Sequence, residues 1–403
     1  MAAPSPDEIR SLVTPTHVRG SAYVDPDLFE LEMDRVFGQA WIFVAHDSQV
    51  REPGTYVTTR IGRAKVVVVR HTDDSIRVLH NRCPHRGTQV CTLKGGKVRF
   101  FQCGYHDWTF HTDGKLRSVP LHEGYADWQA RRDSIGLEPV ARVDQYRGFV
   151  FASLSPTGPS LADFLGYMKT SLDDLVDRAP GATHRSAVQA ADAITVPLVR
   201  PAFGAHRSES LKANGAPLTK MDTLGVRAFP YGHSFIGGLP RPPSTGAVMD
   251  EYRGLLEQRH GRDRAAEILG VDRHINVIYP SLLTQGSFGQ IKVIQPISVD
   301  LTETVVYPIR LKGAPDEVFR NSIRSISNAN SPANFVLPDD MAMYQRTQEM
   351  LRESPDFWVD FGRGYGQEER DDHGGLRGRG THELSMRNNY QAWLDYMVME
   401  SVR

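Results

Sequence analysis

Two short stretches constrain this chain more than anything else in it: CPHRG from Cys83 and CGYHDWTF from Cys103. Together they read C-x-H, seventeen residues, then C-x2-H. Two thiols and two imidazoles at this spacing arrive on two short loops, and a metal centre must hold those loops against each other. The surroundings suit such loops. The runs WIFVAH, KVVVVR, IRVLH, KVRFFQC and GFVFASL are rich in β-branched and aromatic residues and are broken by glycine. They predict a small antiparallel β domain over residues 41–155.

The four ligands are Cys83, His85, Cys103 and His106. A [2Fe–2S] cluster with two cysteines on one iron and two histidines on the other needs this alternation, because each loop then supplies one ligand to each iron. Histidine ligation raises the potential relative to an all-cysteine cluster, as suits an electron relay. Gly87 and Gly104 would let the backbone come close to the bridging sulfides, and Trp108 would shield the cluster from water. The alternative for these residues is a structural zinc site, but C-x-H is tight for a single tetrahedral ion. Cys91 falls outside the pattern and reads as a small buried residue, while His71, His80 and His111 read as strand or turn residues.

The rest of the chain is of a different character. PDLFELEMDRVFGQ (26–39) predicts a helix with proline near its start. A second helix begins near Leu161 and runs through DFLGYMKTSLDDL, and helices also fit MDEYRGLLEQRHG and DRAAEILG. Strands return in HINVIYPSLLTQ, QIKVIQPISV and ETVVYPIRL, and three helices close the chain. GGLPRPPSTG (237–246) reads as a loop, and GQEERDDHGGLRGRG (366–380) as a mobile, solvated one. A length of 403 residues implies more than one domain. The reading is α+β: an N-terminal helical segment (1–40) packing on the C-terminal domain, the β domain (41–155), and a C-terminal domain (156–403). A net charge of −1 gives no reason to expect nucleic acid or a membrane surface, and no apolar run reaches the roughly 20 residues of a membrane span. Three cysteines and no secretory signal point to a reducing, cytoplasmic setting.

Taken with GHSFIGGLP, INVIYPSLL, the acidic pair Asp339–Asp340 and MRNNYQAWLDYM, the two cluster stretches resemble the Rieske non-haem iron oxygenases. The similarity is to the alpha (large) subunits that hydroxylate aromatic rings. Asp107 stands where that family usually has glycine. The resemblance implies a second domain of helix-grip architecture, an antiparallel sheet around a long helix. It also implies a mononuclear Fe(II) that uses dioxygen on an aromatic small molecule. Partners implied are a reductase or ferredoxin and neighbouring subunits, in homo- or hetero-trimers or hexamers of alpha-type and beta chains.

The mononuclear iron of that family sits in a triad of two histidines and one carboxylate. Two ligands come from a D-x-x-H-x4/5-H helix and the third is a later aspartate. Here the corresponding stretch, AADAITVPLVRPAFGAHRSESLKANG (190–215), holds one histidine, His206. Depending on the alignment, Arg200 and Pro197, or Leu211 and Phe203, take the places of the missing histidine and the bridging aspartate. Prolines 197 and 201 oppose a regular ligand helix. Asp340 is the expected carboxylate ligand, with His233 and Glu209 as substitutes for the missing one. Three readings stay open: an atypical iron site on His206 and Asp340; a silent electron-transfer or structural partner subunit in a mixed oligomer; or a stretch 190–215 altered from its natural form. For an aromatic acid, Arg200, Arg207 or Arg227 would pair with the substrate carboxylate.

Overall fold

The computed structural model describes residues 4–181, 188–190, 194–198, 222–240, 245–286, 288–331 and 336–399. The chain forms two compact units, Phe37–Leu161 and Met1–Val36 with Ala162–Arg403.

The smaller unit is all antiparallel. Ile76–His80, Ala64–Arg70, Thr55–Ile61 and Gly95–Lys97 form one four-stranded sheet in that order. Phe101–Gln102, Thr109–Phe110 and Leu116–Ser118 form a second sheet, and Arg142–Tyr146, Phe149–Ser153 and Ile42–His46 a third. The valine run of the second strand is buried on both faces, each of Val66 to Val69 having no exposed surface. Val67 and Val69 point with Leu79, Phe101 and Phe110 into one cluster that also contains Cys83, Cys103 and Trp108. The strands thus pack a core directly beneath the two ligand loops. A two-residue hairpin, Arg147–Gly148, joins Tyr146 to Phe149 with both turn residues at positive φ, 51° and 91°. This is the turn whose twist matches its flanking strands. At Gly148 a Cβ would lie 2.9 Å from the buried His46 Nε2, so glycine is needed there twice over.

The larger unit is built on a ten-stranded antiparallel sheet. Val188–Ala190 and Ile194–Leu198 both pair with the long strand Leu301–Leu311. Gln290–Ser298, Leu282–Gln285, Val271–Ile278, Ser234–Pro240, Gly225–Ala228, Leu376–Arg379 and Glu369–Arg370 follow in order. The C-terminal helix Leu384–Met397 lays Leu384 on Val226 and Ala228, while Asn388 Nδ2 donates to the carbonyls of Phe229 and His233 at 3.0 and 2.9 Å. The indole N–H of Trp393 donates to buried Glu32 at 2.6 Å, which ties the helix Pro26–Arg35 to this unit.

Four sequence expectations change. The predicted helix 26–39 stops at Arg35. The helix from Leu161 breaks at Gly166, whose φ of 47° no right-handed helix accommodates, and resumes as Lys169–Asp177. The stretch 366–380 is not a mobile loop: it carries the strands Glu369–Arg370 and Leu376–Arg379, clamped by Arg377–Glu369 and Arg227–Asp371 ion pairs at 2.8 and 3.3 Å. The expected loop 237–246 begins later: residues 237–240 belong to the strand Ser234–Pro240, and residues 241–244 lie outside the described residues. Among the described residues no helix is long and apolar enough to cross a membrane.

Candidate metal centres

The two ligand loops have the same backbone design. In the first, Cys83 N–H donates to the Thr88 carbonyl (2.8 Å) and Gly87 N–H to the Cys83 carbonyl (2.9 Å). In the second, Cys103 N–H donates to the Trp108 carbonyl (2.9 Å) and Asp107 N–H to the Cys103 carbonyl (3.1 Å). Each loop therefore closes through the fourth and fifth residues after its cysteine, and the fourth is left-handed in both: Gly87 at φ 73° and Asp107 at φ 56°. Asp107 is the counterpart of Gly87, which explains how it stands in for glycine. Aspartate tolerates this conformation better than most residues, and the Asp107 carboxylate accepts a 2.9 Å bond from Gln102 Nε2. Gly104 has no such backbone demand, and a Cβ there would meet no protein atom, so the space beside it is open.

The loops bring the two cysteines together and the two histidines together. Cys83 and Cys103 are buried, free, and close enough to hydrogen-bond. Burial pushes the Cys83 thiol up to about 11, and the neighbouring Cys103 adds to the rise. The backbone N–H groups of His85 and Arg86 point at the sulfur and pull the other way. N–H donors of this kind are what a metal-ligating sulfur accepts. The His85 and His106 rings lie 4.6 Å apart, near edge-to-face. His106 Nδ1 is buried with no hydrogen-bond partner. An orphaned imidazole nitrogen in a domain with two free buried thiols fits a metal cluster, because a buried polar atom without a partner is otherwise costly. His85 stacks flat on Trp108, with centroids 4.6 Å apart and planes 4° apart. Among the described residues no three His, Cys, Asp or Glu side chains converge on a single-ion site.

The other cysteine and histidines have different surroundings. Cys91 is buried in the same core, its thiol pushed up to about 12 by burial, while its carbonyl accepts from Asn81 and Gln89. His71 Nδ1 bonds Thr112 Oγ1 at 2.7 Å, His80 ends a strand, and His111 sits in a turn closed by Lys115.

Residues 40–131 match the Rieske [2Fe-2S] domain family. Over 353 residues the chain is 31% identical to the toluate 1,2-dioxygenase subunit alpha of Pseudomonas putida, spanning 81% of this chain and 77% of that protein. The chain belongs to the Rieske ring-hydroxylating oxygenase alpha subunits. It is also 29% identical over 371 residues to the 2-halobenzoate 1,2-dioxygenase large subunit of Burkholderia cepacia, covering 86% of this chain and 79% of the other. Naphthalene 1,2-dioxygenase with indole bound in its active site shares the fold, with a TM-score of 0.83, 24% identity, and coverage of 97% and 94%. As a Rieske oxygenase component the chain carries a [2Fe–2S] domain.

The residues expected at a mononuclear iron are described only in part. His206, Glu209, Arg200 and Arg207 lie outside the described residues, as do Phe203 and Leu211. Pro197 lies on the strand Ile194–Leu198, opposite Glu303. Asp340 lies in the first turns of the helix Val336–Glu353. It faces two residues that sequence reasoning missed. Its charge opposes the downward push of burial on the Lys292 ammonium, and it adds to the burial that raises the Tyr344 phenol to about 12. A cation at Asp340 would share that carboxylate with Lys292. The signal available was a lysine inside the otherwise apolar strand run QIKVIQ.

His233 is not placed to be a ligand. Its Nε2 donates to the Phe164 carbonyl (2.8 Å) and its Nδ1 accepts from Tyr279 N–H (3.0 Å), so both ring nitrogens are used. Arg227 is also engaged, with the buried Asp371 at 3.3 Å and with its guanidinium 5.7 Å from the Phe235 ring centroid.

Proposed function

We propose that this chain takes one electron at a time into a cluster held by Cys83, His85, Cys103 and His106, and passes it to a mononuclear iron that hydroxylates an aromatic carboxylic acid. The observation that supports the cluster assignment is the pair of loops closed by the same backbone hydrogen bonds, which carry two free thiols and the orphaned His106 Nδ1. The substrate class follows from the relatives, whose names specify toluate, 2-halobenzoate and anthranilate. His206 and Asp340 are the residues assigned to the iron. Bound there, the iron would supply the dioxygen chemistry, and this chain's own contribution is the carboxylate of Asp340, whose charge acts on the Lys292 ammonium.

Relatives named as the large component of a multicomponent system support a separate electron donor and an oligomer that includes other subunits. A cytoplasmic setting accords with three free cysteines. The test is the iron and acid-labile sulfide content of anaerobically purified protein, followed by turnover of benzoate-type acids with a reductase. Three irons and two sulfides per chain are expected, falling to two irons in Asp340→Ala with sulfide unchanged. Two irons in the parent protein would instead make it an electron-relaying partner of an iron-bearing subunit. No sulfide after reconstitution would sink the cluster assignment.

A further inference from the structure

Three charged residues lie within two positions of a cluster ligand: Arg82, Arg86 and Asp107. Arg82 is paired with Glu138 at 3.4 Å. Arg86 follows His85 on the first loop and reaches across to the second, its guanidinium 5.8 Å from the Tyr105 ring centroid. Asp107 follows His106 on the second loop and is the one anion of the three. At the equivalent position of the first loop, Gly87 has no side chain at all.

The Asp107 carboxylate is exposed but held in place. Gln102 Nε2 donates to it at 2.9 Å, and Gln102 immediately precedes Cys103 just as Asp107 immediately follows His106. The backbone is fixed as well, by the 3.1 Å bond from Asp107 N–H to the Cys103 carbonyl and by the left-handed φ of 56°. A negative charge is therefore clasped against the loop that carries two of the four ligands. Neighbouring Cα atoms are only about 3.8 Å apart, inside the roughly 8 Å over which physiological salt screens a charge, so solvent weakens the field at His106 without removing it.

We infer that Asp107 lowers the reduction potential of the cluster held by Cys83, His85, Cys103 and His106, and so makes that cluster a stronger reductant toward the mononuclear iron. This rests on the cluster assignment proposed above. Reduction adds one electron to the cluster and breaks no bond, so it adds one negative charge to a centre that already has a fixed carboxylate beside one of its ligand residues. Like charges repel, and the reduced state is disfavoured relative to the same loop with glycine at 107. Net charge is one of the quantities that set the potential of an iron–sulfur cluster. The same repulsion favours passing the electron onward, and it works against the Arg86 guanidinium, whose charge favours the reduced state.

The test uses the full-length, cluster-loaded protein, titrated with redox mediators of known potential while the visible absorption of the cluster is recorded at low salt and about pH 7.5, where the carboxylate is ionised. Asp107→Asn keeps the side chain's size, its tolerance of a left-handed backbone and an acceptor for Gln102, and removes only the charge. At the parent's midpoint its ratio of reduced to oxidised cluster should rise about twofold or more, the Coulomb effect of one charge at roughly 8 Å in water. Asp107→Gly should shift in the same direction, and Asp107→Glu, which keeps the charge, should stay closer to the parent than to Asp107→Asn. Added salt should shrink the difference between parent and Asp107→Asn. An unmoved midpoint in Asp107→Asn would overturn the inference, and so would a shift seen in Asp107→Gly but not in Asp107→Asn, which would assign the effect to the backbone. A parent protein without cluster absorption after reconstitution would remove the cluster assignment and this inference with it, an outcome distinct from a visible cluster whose potential does not move.

Discussion

Burial of His233 makes the larger unit sensitive to acid by an amount that can be worked out. The ring has no water around it, and burial depresses its pKa from 6.5 to about 4. In the folded chain it stays neutral, donating to Phe164 and accepting from Tyr279, and only the neutral ring can do both. The unfolded chain binds a proton below about pH 6.5 and the folded chain does not until about pH 4. The unfolded state therefore binds more protons in that window, so stability is full above it and falls as pH falls through it. By about pH 5 the loss from this one group is about 2 kcal/mol. In His233→Gln the amide keeps one donor and one acceptor but does not titrate. Urea unfolding followed by far-UV circular dichroism at about pH 7.5 and about pH 5 should show the parent's advantage over the variant shrinking by about 2 kcal/mol. His46, equally depressed in the other unit, is common to both proteins and cancels. An advantage of the same size at both pH values would refute the reasoning.

Replacing Cys103 with alanine should abolish the visible absorption of the cluster and all labile sulfide, whereas Cys91→Ala should keep both and cost about 1 kcal/mol or somewhat more in thermal unfolding, as a small core truncation does. Asp107→Gly should leave stability within about 1 kcal/mol of the parent, because the relief of a left-handed backbone offsets the greater freedom of unfolded glycine and the lost Gln102 bond. Asp107→Val should cost more than about 1 kcal/mol and slow cluster assembly, measured by reconstitution followed in the visible, since a β-branched residue is ill suited to φ 56°.

The proposed cluster ligands could be named from the sequence because their chemistry is local. A cysteine and a histidine two or three residues apart can reach one metal centre whatever the rest of the chain does, so spacing and residue type identify them. The strand run KVVVVR and the proline near the start of the helix at Pro26 were legible for the same reason: side-chain shape and backbone preference act within a few residues. The equivalence of Asp107 with Gly87 was not, because it appears only when the two loops are laid side by side with their hydrogen bonds. The role of His233 was not either, since its partners are 69 and 46 residues away in the chain.

The same division holds for the polar, glycine-rich stretch 366–380. Its composition matches that of a solvated loop, and only the pairing of Leu376–Arg379 with Gly225–Ala228 makes it part of the sheet. Likewise the helix Pro26–Arg35 belongs to the larger unit because Glu32 meets Trp393, 361 residues later. The sequence by itself determined which atoms could bind a cluster and where most of the strands and helices would form, because those preferences are short-range. Tertiary structure decided which histidine was already committed, which loop became a strand, and which ring stacked on His85, because burial and hydrogen bonding between distant segments exist only in the folded chain.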